Sequence, residues 1–137
     1  MSEAVTEKVK VLLYSDNRLV RDDVRLSLGR RVASDLPEID LREVATPEVL
    51  LRELDADLSY SLIILDGEAR PHGGFGLAHQ IKEEYPDPPP ILLLVARVQD
   101  AWLAAWSRAE AIAPYPLDPI QLPQQAANLI RSTLATS

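Results

Sequence analysis

Two stretches of this chain are apolar without interruption, Leu62-Ile-Ile-Leu65 and Ile91-Leu-Leu-Leu-Val-Ala96, and they restrict what it can fold into more than any other feature. A strand that meets water on one face alternates apolar and polar residues, whereas a strand covered on both faces is apolar throughout. Both runs therefore read as central strands of a sheet with layers on either side. The first of them delivers a carboxylate, Asp66, into a loop rich in Gly and Pro that runs through Gly76. In open α/β sheets the carboxyl ends of such strands are where chemistry is placed.

The remaining segments fit around these two strands. Lys8 to Tyr14 begins as an alternating strand and ends fully apolar. Ser15-Asp16-Asn17 follows and offers helix caps, and in the helix beyond it Val20, Val24 and Leu28 recur every four residues with Leu19 and Leu26 beside them. Ile39 to Ala45 alternates, so one of its faces is wetter. Thr46-Pro47-Glu48 supplies an N-cap, a proline in the first turn and an acid for the helix dipole of a second helix carrying Val49, Leu50, Leu51 and Leu54. Phe75, Leu77, Ala78 and Ile81 mark a third helix, stopped by the proline-rich turn that ends at Pro90. Asp100 can cap a fourth, in which Trp102, Ala105, Trp106 and Ala109 share a face. Ala111 to Ala113 is a short fifth strand, and Asp118-Pro119 opens a last helix that Pro123 is expected to kink or delay. Strand and helix alternate five times, which asks for a parallel sheet with helices on both faces. The expectation is a single α/β domain over residues 1–137, with an ordered core from about residue 8 to residue 134 and no internal repeat.

Composition removes several classes of function. The chain has 47% hydrophobic and 26% charged residues, which is globular rather than disordered. Its 21 acidic residues outnumber 14 basic ones for a net charge of -7, and no basic run stands out, so a nucleic-acid surface is not expected. Without cysteine there is no disulfide framework and no thiolate metal site. The N-terminal residues carry no signal-peptide pattern and no apolar run is long enough to span a bilayer, so a cytoplasmic protein that is not membrane-inserted is expected. No Ser lies in a GxSxG elbow, and no base and nucleophile pair suggests an enzyme. Gly73-Gly-Phe-Gly76 lacks the spacing of a phosphate loop, and His72 and His79 have no second ligand at metal spacing and are expected to face solvent.

Five βα units, an acid after the first strand, another after the third and a proline after the fifth together resemble the receiver domain of two-component response regulators, over essentially the whole chain. The resemblance implies a doubly wound, flavodoxin-like five-stranded parallel sheet of order 2-1-3-4-5. It implies that Asp66 is the phosphoacceptor and that Asp16, with Asp66, helps to hold Mg²⁺; Glu68 sits where the family lends a backbone carbonyl to the metal. Gly74 matches the family's usual glycine, and Pro71 lies one place later than is typical. Three positions depart from the pattern: Ser15 stands where receivers carry a second acid, Val95 where a hydroxyl residue binds the phosphoryl group, and Tyr115 where a lysine precedes the proline.

Phosphorylating a carboxylate depends on positioning and charge neutralisation, and Mg²⁺ is satisfied by one or two carboxylates with waters. On paper Asp16 and Asp66 still provide that, with the Glu68 side chain as partial replacement for the missing acid. Val95 cannot donate a hydrogen bond; Tyr115 can, but carries no charge. Arg70 or Arg97 are the candidate substitute cations. Trp102 and Trp106 are expected to pack on the sheet or the last helix. The resemblance gives them a second reading, as part of a partner face, because the family's output surface lies on the fourth helix and the last strand and helix.

The leading expectation is thus an atypical single-domain response regulator in a phosphorelay, without an output domain, acting by protein contact with a histidine kinase or downstream effector. Homodimerisation through the last elements is one of the assemblies it implies. The alternative is a phosphorylation-independent pseudo-receiver serving as an interaction module, for which the losses at Val95 and Tyr115 speak. A flavodoxin-like cofactor carrier would share the topology, but Ser15-Asp-Asn-Arg18 is too acidic and too poor in glycine for its phosphate loop.

Overall fold

The computed structural model of the protein describes residues 8–69, 73–96 and 102–135. Five strands and five helices alternate: β1 (Val9–Tyr14), α1 (Arg18–Leu28), β2 (Ile39–Val44), α2 (Pro47–Ala56), β3 (Leu62–Asp66), α3 (Gly74–Glu84), β4 (Ile91–Val95), α4 (Trp102–Ser107), β5 (Ala111–Pro114) and α5 (Gln121–Ala135). The strands form one sheet in the order β2-β1-β3-β4-β5, and every neighbouring pair is parallel, as expected from the sequence.

The strand period of two divides the core into two layers. Leu12 and Tyr14 of β1, Ile63 and Leu65 of β3, and Ile91, Leu93 and Val95 of β4 point to one face, where Leu50 and Leu54 of α2 and Leu77, Ala78 and Ile81 of α3 cover them. Val11, Leu13, Leu62, Ile64, Leu92 and Leu94 point to the other, against Val24 and Leu28 of α1 and Leu122, Ala126 and Ile130 of α5. β3 and β4 are buried along their whole length, which is why their sequences show no alternation. The edge strand β2 keeps the alternating pattern. Among the described residues no helix is long and apolar enough to cross a membrane.

Local chemistry sets the ends of the helices. Thr46 Oγ1 accepts from the Val49 amide at 3.2 Å, with Pro47 and Glu48 in the first turn of α2. For α1 the cap is Asn17, whose Oδ1 accepts from the Leu19 amide at 2.9 Å. Gly29, at φ +66, ends that helix in the left-handed region. Asp118 Oδ1 accepts from the amides of Ile120 and Gln121, so α5 begins at Gln121 and Pro123 falls in its first turn, where a missing N–H has no helical partner to lose.

Three expectations are corrected. Leu19 and Leu26 do not join the core: α1 leaves them 68% and 78% exposed, because only Val24 and Leu28 lie on its buried stripe. Trp102 and Trp106 are not packed on the sheet or the last helix; α4 is six residues long and leaves them 66% and 49% exposed. His79 of α3 does not simply face solvent, since its ring stacks on Trp106 with centroids 4.3 Å apart, 7° from parallel, and its Nδ1 lies 3.2 Å from the Trp106 carbonyl. Asp100, the expected cap of α4, lies outside the described residues.

The start of α3 is pressed against the strand that precedes it. A Cβ on Gly74 would stand 2.8 Å from the Asp66 carbonyl oxygen and 2.9 Å from Leu65 Cβ, whereas one on Gly76 would meet nothing within 4 Å. Gly74→Ala is therefore expected to destabilise the fold by roughly 1–3 kcal/mol through overpacking. Gly76→Ala, in open space within the same helix, is expected to stabilise it by about 0.5–1 kcal/mol. Urea denaturation of the two variants checks both signs.

Candidate functional site

β1, β3 and β5 bring their carboxyl ends together, and strand register decides what meets there. Tyr14 pairs with Leu65, so the next residue on each strand, Ser15 and Asp66, arrive side by side. Val95 pairs with Pro114, and the Tyr115 amide then donates to the Val95 carbonyl at 3.0 Å, which fixes Tyr115 over the same end of the sheet. The Gly67 amide donates to the Leu94 carbonyl at 2.9 Å and the Ala69 amide to the Asp66 carbonyl at 3.2 Å, giving the turn that follows β3.

Asp66 is 2% exposed, and both of its carboxylate oxygens are engaged. The Ser15 hydroxyl donates to Oδ2 at 2.7 Å. The Glu68 amide donates to Oδ1 at 2.9 Å, and the Tyr115 hydroxyl donates to the same oxygen at 3.2 Å. These donors satisfy a buried carboxylate that has no ion pair among the described residues. Burial, and after it the nearby Asp66 carboxylate, raise the Tyr115 phenol well above its usual range, so it remains a proton donor at neutral pH. Ser15 is itself fully buried, and its oxygen also accepts from the Asn17 amide at 3.0 Å. Arg21 Nη1 donates to the Ser15 carbonyl at 2.6 Å, so its guanidinium is spent on the backbone beside the site and on Glu43.

A cavity of about 710 Å³ opens over Asp66, lined by Asp16, Asn17, Arg18, Val20, Asp66, Glu68, Ala96 and Tyr115. It gathers the three carboxylates singled out from the sequence, Asp16, Asp66 and Glu68. Asp16 is on the exposed outer side, and among the described residues no group of three His, Cys, Asp or Glu side chains is arranged to hold a metal ion. With three donors on its two oxygens Asp66 keeps a lone-pair position open on Oδ2, and Asp16 and Glu68 are the other carboxylates that a hard divalent cation would meet in the cavity.

Ser15 and Tyr115, read from the sequence as lost functional groups, are brought together on Asp66 as its hydrogen-bond donors. Val95 is 1% exposed and packs into the core beside Leu93, and Ala96 lines the cavity in its place. Arg18 is a cavity residue that sequence reasoning missed; its position two residues after Asp16, at the first turn of α1, was the available signal. Arg70, Pro71, His72 and Arg97 lie outside the described residues. Trp102 and Trp106 stand away from Asp66 on α4.

Comparison with known proteins gives a consistent result. Proteins named uncharacterized response regulatory protein in two strains of Mycobacterium tuberculosis are 47% identical to this chain over 124 residues, covering 90% of it and 92% of each relative. Among solved structures, a CheY-like response regulator receiver domain protein of Methanospirillum hungatei superimposes with a TM-score of 0.76 at 14% identity, over 96% of this chain and 100% of that one. A chemotaxis response regulator of Vibrio cholerae gives 0.73 at 19% identity, over 90% and 99%. No protein-family model matches the chain.

Proposed function

The chain belongs to the response-regulator receiver family of two-component signalling, and from that membership we propose that it works by docking on a protein partner, a histidine kinase or a downstream effector, with Asp66 as an internal hydrogen-bond acceptor and not as a phosphoacceptor. One observation carries this reading: both oxygens of Asp66 are taken by Ser15, Glu68 and Tyr115. Phosphoryl transfer to a carboxylate needs an oxygen free to attack in line and positive charge to neutralise the incoming phosphoryl group. Here each oxygen already accepts from at least one donor, and among the described residues no Lys or Arg forms an ion pair with Asp66. At the end of β4 Val95 is turned into the core and Ala96 lines the cavity, so neither side chain supplies a hydrogen bond to a phosphoryl oxygen. The docking surface in this reading includes α4, where Trp102 and Trp106 are exposed as aromatic anchors.

A second reading, with Asp66 phosphorylated, draws on the cavity that Asp66 shares with Asp16 and Glu68. Intact mass after incubation with Mg²⁺ and a small acyl-phosphate donor separates the two. The expected result is an unchanged mass for the wild type and a phosphoryl adduct on a Ser15→Asp, Val95→Thr, Tyr115→Lys triple variant. An adduct on the wild type that disappears in Asp66→Asn would overturn the docking-only reading.

A further inference from the structure

We infer that His79 of α3 is the latch of the α4 docking face: its ring and its Nδ1 hold Trp106 in place, and α4 opens from the domain separately from the core when that contact is lost. The inference rests on the docking reading and deepens it, by naming the residue that positions one of its two aromatic anchors.

α4 is six residues long, and a helix of that length is marginal without packing. Among its described side chains only Ser107 is buried, while Trp102, Ala105 and Trp106 are exposed. Its fastening comes from α3, against which it packs. His79, Lys82 and Glu83 lie at helical spacing on one side of α3 and meet the chain that runs from α4 to β5. Lys82 Nζ pairs with Glu110 at 2.6 Å, Arg108 Nη2 pairs with Glu83 at 2.6 Å, and the His79 ring stacks on Trp106 with centroids 4.3 Å apart.

The three contacts are not equal. Glu83 and Arg108 are both about half exposed, and an ion pair of that kind contributes little. Glu110 also accepts from the Ile91 amide at 2.7 Å, so Lys82 is tied to the sheet at the start of β5 and not to α4. Of the three α3 residues only His79 reaches a residue within α4. It does so twice, through the face of the indole and through the Trp106 carbonyl, 3.2 Å from Nδ1. A carbonyl only accepts, so Nδ1 is the ring nitrogen that carries the hydrogen in this contact. Stack and hydrogen bond on one residue fix its side chain and its backbone together, yet Trp106 stays 49% exposed. A tryptophan whose rotamer is set beforehand loses less freedom when a partner covers it, so a latch on one side of the indole favours docking on the rest.

Hydrogen exchange on the full chain, with no partner present, tests this. In the wild type the amides of Trp106 and Ser107 are expected to exchange at rates that low urea leaves unchanged, as a local opening does. Those of Ile64 and Leu93, in β3 and β4, should quicken with urea because they open with the whole fold. His79→Ala is expected to quicken the two α4 amides at least about tenfold, through loss of the stack and the hydrogen bond together. His79→Phe keeps a ring and loses Nδ1, so it should quicken them by only about threefold. In a Trp102→Phe background Trp106 is the sole tryptophan, and His79→Ala should move its emission to longer wavelength. Wild-type α4 amides with the urea dependence of the core would overturn the inference. So would unchanged α4 exchange or an unshifted emission in His79→Ala, and so would a His79→Phe chain that exchanges as fast as His79→Ala. Any of these results overturns the latch alone, whereas a phosphoryl adduct on the wild type overturns the docking reading and leaves the exchange rates as they are.

Discussion

Asp66→Ala is expected to lower the folding free energy by about 3 kcal/mol, because buried donors left without an acceptor each lose roughly 1–3 kcal/mol. Two of the three have nowhere good to turn. The Glu68 amide is fixed by the backbone, and Ser15 can reach the Asn17 carbonyl, which is 3.4 Å away. Tyr115 lines the cavity and can swing toward water, so its share of the loss is smaller. Asp66→Asn keeps one oxygen as acceptor and is expected to lose only about 1 kcal/mol. Urea unfolding of both variants at neutral pH provides the measurement. The sign is informative. If Asp66 were held chiefly against its neighbours Asp16 and Glu68, removing its charge would relieve repulsion and raise the midpoint, and that outcome would sink the account of Asp66 as an anchored acceptor.

Leu93→Ala is expected to destabilise the protein by about 2–5 kcal/mol, whereas Trp102→Ala should change stability by no more than about 0.5 kcal/mol. Leu93 is fully buried in β4, paired with Leu65 on one side and Ile112 on the other, in the layer beneath α2 and α3. Its removal leaves a cavity that surrounding strands cannot collapse to fill. Trp102 is the larger side chain but is 66% exposed, so truncation removes little that folding had buried. Thermal or urea melts of the two variants decide the matter. A Trp102→Ala chain as unstable as Leu93→Ala would remove α4 from consideration as a docking face, because the indole would then belong to the core.

Much of the fold was legible along the chain because it rests on local physics. The apolar runs at Leu62–Leu65 and Ile91–Ala96 became β3 and β4, buried on both faces, and the alternation from Ile39 became the edge strand β2. Thr46, Pro47 and Glu48 started α2 in their expected roles. The misreadings came where residues of the same local character have different neighbours. Ser15 and Asn17 are both good helix caps; Asn17 caps α1 and Ser15 turns to Asp66. Leu19, Leu26, Trp102 and Trp106 share the apolarity of core residues, yet the helices that carry them leave them exposed. Val95 and Ala96 are adjacent, and the pleat puts the first in the core while the second lines the cavity.

The sequence by itself determined the kind and order of the elements and put one acid at the end of the central strand, because hydrophobic period, caps and turn residues act over a few neighbouring positions. Only the tertiary structure decided what that acid does. Ser15 and Tyr115 are separated from Asp66 by 51 and 49 positions in the chain, and a hydrogen bond forms only when strand register brings donor and acceptor to about 3 Å. No local pattern encodes such a distance; it follows from how three strand ends line up in the assembled sheet.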